Sequence, residues 1–398
     1  MPRDGVNFIT LMTGCGYGDA ACQYMAGLCR LGVELTWTPI IGDTPFNLAH
    51  QAISALMQED VRPQVMPLLQ RKLDAEALVV AVPPFYWQNF WREALPDLRP
   101  YTYIAWEVET IPQDWLPALN RYERIFVPSE FNRTALKNGG VIPPVDVIPH
   151  VAREVSPAVG SMSWGEVEDD DYVFYTIGSW TARKSMAEMI SVYLDTFSRQ
   201  DKVALIVKTD RLDQIQRYAV ANGEEQDGAP HSQMVWWGVA QLLAGRKNPP
   251  KLHLIADGIS PRGIDEIHTR GDCFLSLTRS EGWGLGAFDA TLFGNPVIIT
   301  GWGGHLEYLG QDYPLLVDYQ LRPTRMSPPD GCFLFSDDVE WAHASQLSAQ
   351  EKLRWVYNNQ KEAAAIGRRL QPRVKQTFAS ERVCLNLGAL MGLNVAVQ

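Results

Sequence analysis

The segment 273–307, CFLSLTRSEGWGLGAFDATLFGNPVIITGWGGHLE, constrains the fold more than any other part of the chain. It opens with an apolar run, 273–277, of strand length and bounded by polar residues. Gly282, Gly284 and Gly286 then alternate with Trp283 and Leu285 in a glycine-rich turn. Residues 287–293 read as a short helix, ended by Gly294 at C′ with Pro296 just beyond. Residues 297–300 form a second buried strand, and Gly301, Gly303 and Gly304 make a second glycine-rich turn. Strand, loop, helix, strand, loop is a βαβ unit, which predicts an α/β fold with a parallel sheet. Its loops gather at the C-terminal edge of the strands, where ligands of open α/β sheets bind.

The chemistry of this loop follows from its residue types. Glycine lets a backbone come close to a ligand and aim N–H groups at it, and the N-terminus of the following helix favours negative charge. Glu281 and Asp289 bracket that positive end, eight residues apart. Carboxylates repel phosphate and accept hydrogen bonds from hydroxyls, so amides beside acids suit a sugar nucleotide. On the glycine pattern alone, a capped βα turn with solvated acids is the simpler account.

At 398 residues the chain is long enough for two or three domains. With 46% hydrophobic and 20% charged residues it has an ordinary globular composition. A net charge of −11 argues against a nucleic-acid binder, which needs a basic footprint, and weakens a broad grip on anionic membranes. No apolar run reaches membrane-spanning length, and the N-terminus has no charged-then-apolar signal pattern. The chain reads as cytoplasmic, with at most peripheral contact with a membrane. The 6 cysteines form no C-x-x-C pair and the 7 histidines no metal-ligand spacing, which predicts reduced thiols and no metal.

Residues 6–13 read as a buried strand, 14–18 (GCGYG) as a glycine turn that includes Gly16, and Asp19 as a cap for a helix to about 30. A strand at 33–40 completes a Rossmann-like opening, but LTWT at 35–38 lacks the acid that a dinucleotide site wants there. After a strand at 77–82 come five aromatics in the seven residues 85–91, Trp87 among them. They anchor a loop by packing or offer a platform for a sugar ring. A strand at 101–106 ends in Trp106 and Glu107; Glu107 is either an acceptor-binding acid or base, or a solvated loop acid. Residues 125–127 form a strand, Ser129 caps a helix at 130–137, and 145–148 form another strand.

The pattern then collapses into Pro, Gly, Ser and acids from 153 to 171, an interdomain linker between domains at 1–152 and 172–377. A strand at 172–177 leads into GSWTARKS (178–185) and a helix to about 197. Arg183 and Lys184 at a helix start oppose its dipole, so a plain surface role suits them poorly. Strands follow at 203–208 and 251–256, separated by an irregular insertion over 210–250. Helices follow from 262 and over 348–368.

EGWGLGAFDATLFGNPVI followed by GGHLE resembles the signature of the retaining GT-B glycosyltransferases of the large family 4 group (glycosyl transferases group 1). That resemblance implies two Rossmann-like domains facing each other across a cleft, with a final helix (about 378–398) crossing back to the first. Glu281 matches the family's first glutamate, on the transferred sugar. Asp289 stands where a glutamate holds the ribose, and Gly303, Gly304 and Glu307 match the last element. Lys184 matches the lysine of the family's Gly-Arg-x-x-x-x-Lys-Gly, while Ser179 replaces its arginine and Arg183 offers the second charge. Where many relatives have a histidine, this chain has Trp106 or Glu107.

The resemblance implies transfer of a hexose from a nucleotide diphosphate sugar to a saccharide or glycolipid, with retention and without metal or cofactor. Polysaccharide or glycoconjugate synthesis is the implied setting. Lys184, Arg183 and Glu281 would act at the reacting centre. Gly16, Gly282, Trp283, Gly284, Leu285, Asp289, Gly303, Gly304 and Glu307 would hold the donor, and Trp87, Trp106 and Glu107 the acceptor. The alternatives are a GT-B nucleotide-sugar epimerase and a non-catalytic sugar-nucleotide-binding subunit.

Overall fold

The computed structural model describes residues 5–11, 16–40, 53–69, 71, 73–82, 98–160, 162–212, 234–326, 335–336 and 339–395. The chain divides into two units, Met1–Glu154 with Val374–Gln398, and Val155–Arg373.

In the first unit the strands are β1 (Gly5–Leu11), β2 (Glu34–Ile40), β3 (Ala77–Ala81), β4 (Arg99–Tyr103), β5 (Arg124–Val127) and β6 (Val145–Val147). They form one parallel sheet in the order β2-β1-β3-β4-β5-β6. Helices cover both faces of such a sheet, so its strands are apolar throughout; all five residues of β3 are buried. Helix α1 (Gly16–Arg30) follows β1, and α2 (Glu130–Asn138) follows β5. Ser129 caps α2 by accepting from the Asn132 N–H at 3.4 Å.

The second unit has β7 (Tyr172–Ile177), α3 (Met186–Thr196), β8 (Val203–Lys208), α4 (Val235–Leu243), β9 (Lys251–Ile255), α5 (Pro261–Arg270) and β10 (Cys273–Ser276). These are followed by α6 (Leu285–Phe293), β11 (Val297–Thr300), β12 (Leu316–Val317), β13 (Tyr319–Pro323) and β14 (Glu340–Ala344). Its main sheet is parallel in the order β12-β11-β10-β7-β8-β9, and β13 pairs antiparallel with β14. Helices α7 (Gln346–Asn358), α8 (Gln360–Thr377) and α9 (Ser380–Leu390) end the chain. The chain re-enters the first unit at Val374, where the Phe378 carbonyl accepts from the Ala152 N–H at 2.7 Å. Helix α9 lies on α1 there, Arg30 donating to Ser380 Oγ at 2.8 Å.

Three places differ from the sequence expectation. The helix expected over 348–368 is broken at Asn359, whose side-chain amide donates to the Trp355 carbonyl and leaves the backbone at φ −124°. The insertion at 210–250 contains α4, held by Val235 and Val239 four residues apart on its buried side. Residues 155–171 belong to the second unit and pack on it. Ala158 N–H donates to Thr269 Oγ1 and Met162 N–H to Glu266, both on α5.

The tightest anchor of that segment is Asp171, whose fully buried carboxylate accepts two bonds from Lys251 Nζ at 2.7 and 2.9 Å. Removing one partner of a buried pair strands the other's charge. Lys251→Met is expected to lower unfolding free energy by about 3–5 kcal/mol, read by chemical denaturation. An unchanged midpoint would show that the pair is solvated in solution.

Candidate functional site

Counted from its own first strand, the order of the second sheet is 6-5-4-1-2-3, the doubly wound arrangement in which successive connections diverge at the centre. The centre is the boundary between β7 and β10. Loops leaving their carboxyl ends turn away from each other and open a crevice, the usual ligand position in such sheets. The loop after β7 carries Arg183 and Lys184, and the loop after β10 carries Glu281. The fold therefore joins residues 97 apart in sequence.

Glu281 is 7% exposed, and an unpaired carboxylate at that depth would be costly. It is not unpaired. Lys184 Nζ donates to its Oε1, and Arg183 Nη1 lies 3.4 Å from its Oε2 while donating to the Ser280 carbonyl at 2.6 Å. Burial pushes the acid's pKa up, but the charges of Lys184 and Arg183 outweigh it and bring Glu281 down to about 2. Two cations thus meet on one carboxylate. His305, fully buried beside them, donates from Nε2 to the Thr300 carbonyl at 2.7 Å; burial lowers its pKa to about 4, so it stays neutral at pH 7.

Backbone geometry sets these charges in place. A Cβ on Gly286 would lie 2.9 Å from the Ile177 carbonyl and 3.2 Å from the Phe274 ring, so only glycine lets the start of α6 settle against the ends of β7 and β10. Gly303 has φ +125° and would place a Cβ 2.9 Å from the Glu281 carbonyl. That carbonyl accepts from the Gly304 N–H at 2.7 Å, so the second glycine turn holds the main chain of Glu281. Gly284 is the N-cap of α6 and has no side chain to bond its first-turn amides. The helix start thus adds partial positive charge beside Lys184. A small pocket of about 20 Å3 lies here, with Gly178, Lys184, Glu281, Gly284 and Gly286 in its lining.

The remaining sequence candidates take varied positions. Gly282 is buried, and Leu285 opens α6 half-buried. Trp283 is 2% exposed and its ring packs edge-on against Phe288 and tilted against Tyr308, so its side chain belongs to the core. Asp289 is half-buried on α6 and Glu307 exposed in the turn of helix after Gly304; neither lines the pocket. In the first unit Gly16 is the exposed first residue of α1. The Trp106 ring packs edge-on against Trp115 at 4.6 Å and donates to the Thr110 carbonyl, while Glu107 beside it is half-buried. Trp87 and the rest of the aromatic run lie outside the described residues.

Sequence reasoning passed over Tyr308, whose hydroxyl donates to the Gly284 carbonyl at 3.1 Å, and Tyr17, which both donates to and accepts from the backbone of Ala105. It also passed over Arg279, buried within the site's own walls. Among the described residues one carboxylate group, Glu168, Asp170 and Asp171, has metal-like spacing, and its members pair with Lys202 and Lys251. No described helix is long and apolar enough to cross a membrane.

No family model matches the chain, and no curated protein matches it in sequence. Solved structures do match it in fold. A sucrose-phosphate synthase from Thermosynechococcus elongatus is 13% identical, with 98% of each chain covered and a TM-score of 0.67. Anabaena HepE, in complex with UDP-glucose, is 13% identical over 98% of this chain and 99% of its own, with a TM-score of 0.63. The trehalose-6-phosphate synthase OtsA is 11% identical over 98% and 99%, with a TM-score of 0.61. The chain therefore has the α/β fold of the GT-B glycosyltransferases.

The depressed pKa of Glu281 carries a stability prediction. A carboxyl with a folded pKa below its unfolded value of 4.5 stabilises the fold above that value, and the contribution is lost as pH falls toward about 2. At pH 7 the native protein is expected to exceed Glu281→Gln by about 3 kcal/mol in unfolding free energy. The gap should close between about pH 5 and pH 2, read by denaturant titrations of both proteins. A gap independent of pH would show that the charge of Glu281 is not its source.

Proposed function

We propose that this chain is a retaining glycosyltransferase that moves a hexose from a nucleotide diphosphate sugar to a saccharide or glycolipid acceptor. The observation that carries this reading is the Lys184–Arg183–Glu281 cluster, with its carboxylate buried, at the divergence point of the second sheet. Its two cations and the α6 start suit a diphosphate, and the carboxylate within it suits sugar hydroxyls. HepE, a neighbour in fold, holds UDP-glucose, which makes that donor the first to assay.

In the reaction the acceptor oxygen bonds to the anomeric carbon on the face from which the diphosphate departs. The bond from that carbon to the phosphate oxygen breaks, and the acceptor proton passes to the leaving phosphate. Charge grows on the diphosphate as it leaves, and preorganised cations act most strongly where charge develops. Lys184 and Arg183 fill that role, Glu281 orients the sugar, and Asp289 holds the ribose. Gly282, Leu285, Gly303 and Glu307 shape the donor site around them. The reading requires no metal ion or cofactor.

Lys184→Ala is expected to lower turnover at least tenfold, about 1.4 kcal/mol of transition-state stabilisation, in steady-state kinetics run with excess chelator. Wild-type kinetics in the variant would remove Lys184 from the mechanism, and loss of native activity in chelator would remove the metal-free route.

Calorimetry separates the two acids. Glu281→Gln keeps the side-chain shape but loses charge-assisted bonds, which are roughly twice as strong as neutral ones. Binding of the nucleotide sugar should weaken more than binding of the bare nucleoside diphosphate. Asp289→Asn should weaken both ligands together. Equal losses for both ligands in Glu281→Gln would reverse the assignment. If native protein binds no nucleotide sugar, the glycosyltransferase reading falls; if it isomerises the donor with no acceptor present, the epimerase takes its place.

A further inference from the structure

Arg279 stands two residues before Glu281 and is 4% exposed, yet it does not line the pocket. Its guanidinium reaches the loop after β7: Nη1 donates to the Ala182 carbonyl, and Nη2 donates to Glu188 Oε1 at 2.6 Å on the first turn of α3. Its main chain faces the same loop, its N–H donating to the Arg183 carbonyl at 2.7 Å. Thr278 Oγ1 donates to that carbonyl as well, at 3.3 Å. On the other side the Arg279 carbonyl accepts from the Ala342 N–H of β14 at 2.9 Å. One residue therefore fastens the loop bearing both cations, the helix behind it and the loop bearing the carboxylate.

These bonds decide where Arg183 and Lys184 stand relative to Glu281. The two loops leave different strands and turn away from each other, so strand pairing alone does not fix the distance between them. A planar guanidinium can hold a carbonyl and a carboxylate together, whereas a lysine ammonium is a point charge on a flexible stem. We propose that Arg279 is a positioning residue for the site, clamping the Ala182–Lys184 backbone to the Glu281 loop so that both cations meet the carboxylate. Its consequence for sugar transfer rests on the glycosyltransferase reading; its consequence for the ion-pair cluster does not.

Arg279→Lys keeps the charge and loses the fork. Glu188→Gln weakens the same clamp from a side chain that is 41% exposed, so the fold should survive it. The first measurement is the ionisation midpoint of Glu281, followed by carboxyl NMR of glutamate-labelled protein. Both variants should raise it above the native value, because the cations that depress it are no longer held in place. The second is turnover per folded molecule with a UDP-sugar. Here kcat should fall about tenfold while KM for the donor changes less than about threefold. In a Lys184→Ala background, Arg279→Lys should add less to the loss of kcat than it does alone, since it acts in part through the lysine it positions. A native Glu281 midpoint in folded Arg279→Lys and Glu188→Gln overturns the proposal, as does an undiminished effect of Arg279→Lys on kcat in the Lys184→Ala background. A native protein that transfers no sugar overturns the glycosyltransferase reading alone, because the NMR comparison still judges the clamp.

Discussion

A carboxylate as deeply placed as Glu281 stays ionised only while opposite charge is held against it, and that charge comes from another strand's loop. Much of the second unit's local structure follows from this requirement. The strand order puts β7 beside β10, so the two loops start as neighbours. Gly286 lets α6 begin against the end of β7, where a methyl group would meet the Ile177 carbonyl. The Gly303–Gly304 turn folds back to hold the Glu281 carbonyl, and His305 ties that turn to the end of β11. Each contact is modest, but together they leave the three charged groups few positions other than mutual contact.

The parallel sheets were legible in the sequence because a strand covered on both faces has no polar side to alternate with. Runs such as YVFYTI and VALIVK read as strands without knowledge of their neighbours. Helix ends were legible where a single residue stops or caps the backbone, as Ser129 and Gly294 do. Elements whose cause lies elsewhere in the fold were harder to read. Helix α4 follows a polar stretch and buries only Val235 and Val239 fully, and β13 is exposed along most of its length, its pairing set by β14. Asn359 looks helical in composition, and only its bond to Trp355 shows why the helix breaks there.

For the site, spacing and residue type singled out Glu281, Lys184 and Arg183 from two distant segments. Spacing could not say that they would touch, because a loop's direction depends on the strand order of the whole sheet. Nor could it say which way a ring turns. Trp283 sits between glycines in the loop, yet its indole packs with Phe288 and Tyr308 and supports the loop from beneath. Arg279 escaped notice for a related reason: an arginine between an apolar strand and a serine looks solvent-facing until the carbonyl and carboxylate it joins are seen.

The pairing of Lys184 with Glu281 also bears on how an empty site tolerates its own charges. A half-buried ammonium and a buried carboxylate are each costly alone, and here each satisfies the other. On the proposed reading a sugar nucleotide offers both groups new partners at once: phosphate oxygens for Lys184 and sugar hydroxyls for Glu281. A bare nucleotide replaces only the carboxylate's share of the bonds to Lys184, leaving the Glu281 carboxylate to rely on Arg183. The complete donor therefore exchanges one satisfied set of charges for another, while a fragment leaves one charge less well matched. Discrimination in favour of the intact donor then comes from the ion pair itself, in addition to any contact the sugar gains.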